Sequence, residues 1–303
     1  MLLKYMRKKR RNKGIDLAQA LKILWVTDTH IDASVDGDSE AEGACSEWED
    51  SVVGPRCYYT GRGKLAYFVD QVNIANPDMA IHTGDSIDGE HSDVDFQLFL
   101  DEWNRIDPGI HKEFARGNHD RNPNLIPMLG YDGKPVNAGS VFNQSYTLSN
   151  EQNTVRIITI NTHLQEDIED GYTGRTQGRA YQYLLDWIEN EIVECPEDTV
   201  LIFSHAGPHQ PNSYFQDEHG VAFRNMVYAS RGNKNVYSLF GHRHSGITGY
   251  TTYNSVPGLG SMVFRGHTIP AAVNQGEQSN YGLLYVTRDG QIVGETKDLL
   301  YTP

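Results

Sequence analysis

Five times in this chain a short apolar run breaks off into a cluster of Asp, Asn and His. The clusters are TDTH at 27–30, TGDSIDG at 83–89, RGNHD at 116–120, FSHAGP at 203–208 and FGHRH at 240–244. Asn, Asp and Gly are poor strand residues, so packing does not account for them. Apolar runs that stop at polar clusters read as buried strands whose ends line a crevice. In α/β sheets the carboxyl ends of the strands are where ligands bind.

The runs themselves support that reading. KILWVT (22–27), MAIHT (79–83), HKEFA (111–115), VRIITI (155–160), TVLIFS (199–204) and NVYSLF (235–240) are of strand length. Between them lie helical patterns: Leu65, Phe68, Val69, Val72; then Phe96, Phe99, Leu100, Trp103; then Tyr181, Leu184, Leu185, Ile188, Ile192. Strand–helix alternation predicts an α/β protein. After residue 240 the helical pattern stops, and short strands with Gly turns predict a second sheet built from the C-terminal third. Residues 32–63 and 121–140 fit no element and read as long loop insertions. The first holds eight acids and no base before Arg56.

Charge bounds the function. Residues 1–14 carry 7 of the 26 Lys and Arg and no acid, so the rest of the chain sets 19 bases against 40 acids, a net of −21. A body that acidic excludes an extended nucleic-acid surface. The basic start predicts a solvated N-terminal tail over residues 1–20, ahead of one domain over 21–303. No apolar run reaches the ~20 residues of a membrane span. No apolar h-region follows the basic start, so the expected location is cytoplasmic. Cys45 and Cys57 fit no zinc knuckle and are expected to be free thiols there.

The clusters bring five His (His30, His119, His205, His242, His244), four Asp (Asp28, Asp85, Asp88, Asp120) and Asn118 toward one place. Imidazole and carboxylate without thiolate suit a divalent transition metal: Mn, Fe, Zn, Co or Ni. Asp-x-His and His-x-His spacings put both side chains on one side of an extended segment.

The order D-x-H, G-D-x-x-D, G-N-H-D, H, G-H-x-H resembles the calcineurin-like metallophosphoesterase superfamily over residues 22–244. That resemblance implies a four-layer α/β/β/α sandwich of two mixed β-sheets flanked by helices, with two divalent metals between the sheet edges. It makes Asp28, His30 and His244 ligands of the first metal, Asn118, His205 and His242 ligands of the second, and Asp85 the bridge. It also implies attack of a metal-bridged hydroxide on phosphorus. Two metals ~3.5–4 Å apart need such a bridging carboxylate. His119 is then the general acid and Asp88 its orienter, with Asp120 the competing candidate for that role.

Departures refine the expectation. Asp88 stands where purple acid phosphatases have Tyr. Gly89 stands where protein Ser/Thr phosphatases have the phosphate-gripping Arg; Arg116, Arg121 and Arg243 are the candidate replacements. GDSIDG following YYTGRGKLAYF resembles the manganese-dependent ADP-ribose/CDP-alcohol diphosphatase branch and the cyclic-nucleotide phosphodiesterases. The expected substrate is therefore a phosphodiester or phosphoanhydride of a small nucleotide-like molecule, with manganese the expected metal. The alternatives are a phosphomonoesterase and a non-catalytic scaffold of the same fold. Arg116, His91 and His209 are candidate substrate contacts. His82 and His163, like those two histidines, otherwise read as solvated loop residues.

Overall fold

A computed structural model describes residues 17–33, 61–88, 92–122, 124–163, 178–207, 217–242, 251–253, 264–268 and 280–298. The basic run 1–14, most of the acidic insertion, Cys45, Cys57, His91, His209, Arg243 and His244 lie outside these residues. Leu17–Gln19 form one 3-10 turn, and Ala20 is buried.

Two mixed sheets carry the described chain. The first has five strands in the order β11 (Ile292–Asp298), β10 (Asn280–Val286), β1 (Leu21–Val26), β2 (Met79–His82), β3 (His111–Phe114), and the second has six in the order β4 (Gln144–Ser149), β5 (Thr154–Ile160), β6 (Thr199–Ser204), β7 (Asn235–Phe240), β9 (Phe264–Thr268), β8 (Thr251–Tyr253). Strands β1 (Leu21–Val26), β2 (Met79–His82) and β3 (His111–Phe114) are parallel. So are β5 (Thr154–Ile160), β6 (Thr199–Ser204) and β7 (Asn235–Phe240). All six match the apolar runs of the sequence to within one residue at either end.

Alternation along each strand explains the layering. On β1, Leu21, Ile23 and Trp25 pack with Ile81, Phe203 and Leu239 between the sheets, whereas Leu24 and Val26 face the helices. On β6, Leu201 and Phe203 point inward, and Val200 and Ile202 face the other helices. A central strand thus needs apolar residues at every position, half for each core. Helices α1 (Gly61–Ala75) and α2 (Asp93–Trp103) cover the first sheet with Leu65, Phe68, Val72, Phe96 and Phe99. Helices α4 (Gln182–Glu194) and α5 (Asp217–Ser230) cover the second with Leu184, Ile188, Phe223 and Val227. The result is the expected α/β/β/α sandwich.

Three expectations need correction. Among the described residues the C-terminal third builds no sheet of its own. Strands β8 (Thr251–Tyr253) and β9 (Phe264–Thr268) extend the second sheet beside β7. Strands β10 (Asn280–Val286) and β11 (Ile292–Asp298) return to pair antiparallel with β1. The physical reason is that β1 is buried on both faces and needs a hydrogen-bonded neighbour on each edge. Secondly, the insertion at 121–140 is not all loop. It carries a four-residue helix, α3 (Leu125–Met128), and sinks Leu125 and Tyr131 into the first core. Thirdly, two elements had no sequence signal. Strand β4 (Gln144–Ser149) is an edge strand of mostly polar residues, and α5 buries a sparse stripe.

Phe203 is fully buried between the sheets, edge-on to Trp25 with ring centroids 6.4 Å apart. Phe203→Ala is expected to cost about 3–5 kcal/mol through lost transfer energy and an unfilled cavity. Chemical denaturation followed by Trp fluorescence reads the loss; a change below about 1 kcal/mol would show that the inter-sheet layer relaxes around the void.

Candidate metal centre

Each cluster starts at the carboxyl end of a parallel strand. The strands end at Val26, His82, Phe114, Ser204 and Phe240, and Asp28, His30, Asp85, Asn118, His205 and His242 follow, all buried. Pleat alternation is not what aims Asp28 and His30. Their backbones are left-handed, with φ of +54° and +43°, as are those of Asp85 (+53°) and His242 (+63°). Non-glycine residues adopt this conformation only when their surroundings impose it, and such strain gathers at functional sites.

Here the surroundings are hydrogen bonds that carry the β1–β2 pairing into the turns. Asp28 N–H donates to the Gly84 carbonyl at 2.9 Å, His30 N–H to that of Asp85 at 3.0 Å and Ile31 N–H to that of Ser86 at 3.0 Å. Asp120 holds the same turn from the other side. Its carboxylate accepts from the N–H groups of Asp85 (2.8 Å), Ser86 (2.9 Å) and Gly117 (2.8 Å) and from the Ser86 hydroxyl (2.5 Å). Gly117 must be glycine, since a Cβ there would lie 2.2 Å from Asp85 N. Asp120 is therefore a clamp on the Asp85 turn; none of these bonds orients His119.

The side chains converge on Asp85. Its Oδ2 lies 3.0 Å from His205 Nε2 and 3.7 Å from His30 Nε2. His30 Nε2 is also 3.8 Å from Asp28 Oδ1. His205 Nε2 lies 2.9 Å from His242 Nδ1 and 3.2 Å from Asn118 Oδ1. Among the described residues three groups of side chains able to hold a metal follow: Asp28, His30 and Asp85; Asp85, His205 and His242; and His30, Asp88 and His119. The first two share Asp85. The donors are carboxylate, imidazole and amide oxygen, which fits borderline divalent ions and suits neither a thiolate-type site nor an all-oxygen one. Backbone contacts fix the rings: His205 Nδ1 donates to the Thr83 carbonyl at 2.8 Å, which leaves Nε2 for the centre.

Burial opposes ionisation of Asp85, yet His205, His119 and His30 hold its carboxyl well below the usual range. Burial likewise opposes charge on His205, but the Asp85 and Asp28 carboxylates outweigh it and raise that ring to about 9.

His119 sits edge-on to His30, with centroids 4.8 Å apart, and its N–H donates to Asp85 Oδ1 at 2.8 Å. The expected Asp88–His119 pair takes a different form. Asp88 Oδ1 is 3.2 Å from His30 Nδ1 but 3.5 Å from His119 Nδ1. His119 Nδ1 is closer to the Asp88 backbone carbonyl, at 3.2 Å. One carboxylate thus serves two rings, with the shorter contact to the candidate ligand. Burial raises Asp88, and the two imidazoles overcome this and lower it.

Arg116 is buried. Its Nε donates to the Asp120 carbonyl at 2.6 Å and its guanidinium lies over the Phe142 ring, so it braces the turn. Arg121 Nε donates to the Asn118 carbonyl at 2.6 Å.

Two histidines read from sequence as solvated loop residues belong to the centre's frame. His82 is fully buried against Phe99, Trp103 and Phe114. Its Nδ1 accepts from Gly84 N–H at 3.1 Å, and Nε2 donates to Thr29 Oγ1 at 3.1 Å, which in turn donates to the Ser86 carbonyl at 2.9 Å. The ring bolts the β1 turn to the β2 turn, and burial lowers its pKa to about 3, which keeps it neutral. His163, past the end of β5, lies against His205 and His242 at 5.5 and 5.8 Å between centroids. Burial, then those two imidazoles, hold it well below the ordinary value. Sequence offered one clue to both: each follows a predicted strand or ends it.

The sequence profile of calcineurin-like phosphoesterases matches residues 21–246. No curated protein matches by sequence comparison. Among solved structures, a dimetal phosphatase from Danio rerio superposes with a TM-score of 0.65 at 16% identity, over 94% of this chain and 100% of that one. A candidate 5'-nucleotidase from Staphylococcus aureus gives 0.51 at 15%, over 92% of this chain and only 54% of its own length. GAP50, the anchor in the inner membrane complex of Plasmodium, gives 0.51 at 7%, over 94% and 90%. At these identities the likeness concerns the fold.

The raised pKa of His205 has a measurable consequence. Its folded value of about 9 exceeds the ordinary 6.5, so the metal-free ring is protonated at neutral pH and loses that proton as pH rises through about 9. A ligand nitrogen must be deprotonated. Metal uptake at pH 7 is therefore expected to release a proton and to tighten toward pH 9. Calorimetric titration with Zn²⁺ in buffers of different ionisation enthalpy checks this; buffer-independent heats would remove His205 from the ligand set.

Proposed function

We infer the reaction from a family premise: this chain belongs to the calcineurin-like phosphoesterases, and it is a phosphoric ester hydrolase. We propose that it acts through two divalent metals on a phosphodiester or phosphoanhydride of a small nucleotide-like molecule. The observation that carries the reading is the sharing of Asp85 between two metal-capable groups. In the proposed allocation Asp28, His30 and His244 hold one ion, Asn118, His205 and His242 the other, and Asp85 both. Ions bound there would polarise phosphoryl oxygens and supply hydroxide near neutral pH.

The chain's own residues do the rest. Asn118 contributes a neutral oxygen, which limits repulsion of an anionic substrate. Asp88 orients His30 and faces His119. With His119 Nδ1 turned toward the Asp88 carbonyl, Nε2 is left to give a proton to the departing alkoxide. The side chain of His119 is 25% exposed, so substrate can reach it. Preference for a monoanionic ester is supported by two described arginines, Arg116 and Arg121, which both spend Nε on backbone carbonyls.

Purified protein loaded with Mn²⁺ is expected to hydrolyse bis(p-nitrophenyl) phosphate at least about tenfold better, by kcat/KM, than p-nitrophenyl phosphate. Asp85→Asn should lose bound metal and turnover together while its circular dichroism is unchanged. A reversed preference would make the protein a monoesterase; a fully active Asp85→Asn with two metals would remove the bridging role.

His119→Ala should keep both metals and slow esters of poor leaving groups by about 10²–10⁴-fold. The deficit should shrink for p-nitrophenyl esters, whose leaving group needs little protonation. Equal deficits across leaving groups, measured by steady-state kinetics, would exclude the general-acid role.

A further inference from the structure

Strand β5 runs parallel to β6, with Ile160 opposite Ser204, so the segment after β5 emerges beside His205. That segment is held firmly. Asn161 N–H donates to Asn143 Oδ1 at 2.7 Å, Asn161 Nδ2 to Ser140 Oγ at 3.2 Å, and His163 N–H to Asn161 Oδ1 at 3.0 Å. It presents His163 to the rings of His205 and His242, and the three imidazoles form a cluster, the latter two 4.7 Å apart.

The two nitrogens of His163 are not equivalent. Nδ1 lies 3.3 Å from Thr162 Oγ1. When that hydroxyl donates, the neutral ring carries its proton on Nε2. This Nε2 is shut off from solvent and has no hydrogen-bond partner among the described residues. Buried polar nitrogens are nearly always satisfied, and an exception asks for the group that completes it. His163 belongs to none of the metal-capable groups among the described residues. What the neighbouring cluster is built to receive, on the reading above, is an oxyanion.

We propose that His163 is a further substrate-contacting residue, its Nε2–H donating to a non-bridging oxygen of the phosphoryl group on the Asp85–His205–His242 side. The inference rests on the phosphoesterase reading. A neutral donor stabilises such an oxygen without adding charge, which favours a monoanionic diester or anhydride over a dianion. It supplies a phosphate contact to a chain that has Gly89 directly after Asp88 and no arginine there.

The test uses zinc-loaded full-length protein with orthophosphate as probe. His163→Phe keeps a ring against His205 and His242 and removes the donor. It should retain the wild-type zinc content and bind orthophosphate about 10–150-fold more weakly by calorimetry, the scale of one lost hydrogen bond to a charged group. The KM for bis(p-nitrophenyl) phosphate should rise in parallel. Phosphate affinity within twofold of wild type, or loss of zinc from the variant, would overturn the proposal. As a measurement that needs no variant, the 15N resonance of His163 Nε2 in wild-type protein should move when orthophosphate is added; an unmoved resonance in protein that binds phosphate would also overturn it. If wild-type protein binds neither zinc nor phosphate, the phosphoesterase reading itself fails.

Discussion

The carboxylate of Asp120 lies buried under the centre and accepts four hydrogen bonds, three from backbone N–H groups and one from a hydroxyl. Two of the three N–H groups belong to Asp85 and Ser86, and the third to Gly117. The turns after β2 and β3 are thereby locked together, and His119 N–H in turn donates to Asp85 Oδ1. The carboxylate is costly to bury, and burial together with the nearby Asp85 charge raises its pKa. It is retained because no neutral side chain offers that many acceptor sites at one point.

Around this clamp the backbone is under strain. Four candidate ligands sit in the left-handed region, at roughly 1–3 kcal/mol each by general experience with such residues. Strand pairing extended into the turns, the Asp120 carboxylate and the His82 bolt hold Asp28, His30 and Asp85 there, and His242 N–H donates to Asp28 Oδ2 at 3.0 Å. A strained turn projects its side chain off the end of the strand, where two sheets can aim at one point. The large cores above and below supply the stability that tolerates it.

Electrostatics follows from the same crowding. Asp85 faces three imidazoles, and each shift is a contest between burial and an opposite charge. His205 gains a proton from the contest, while His82, held by neutral partners in an aromatic box, loses the capacity for one. Identical side chains thus take up different duties according to what each ring touches. One fold hosts many functions, so the duties of these residues and not the sandwich alone define what the chain does.

The sequence by itself determined the six central parallel strands, three of the helices and the placing of Asp28, His30, Asp85, Asn118, His205 and His242 just past strand ends. The reason is that alternation and helical periodicity are local records of burial, and Asp, Asn and His at strand ends are local departures from it. Tertiary structure alone decided where β10 and β11 went, since the choice of a strand's neighbour depends on an edge of β1 formed more than 250 residues earlier in the chain. It decided that Asp88 leans toward His30 as well as His119, and that Asp120 grips backbone instead of a ring. It also moved His82 and His163 from apparent loop residues into the frame of the site. Sequence names the donors, but hydrogen-bond geometry is set by turns that bring distant segments within 3 Å or so of one another, and no local pattern records that.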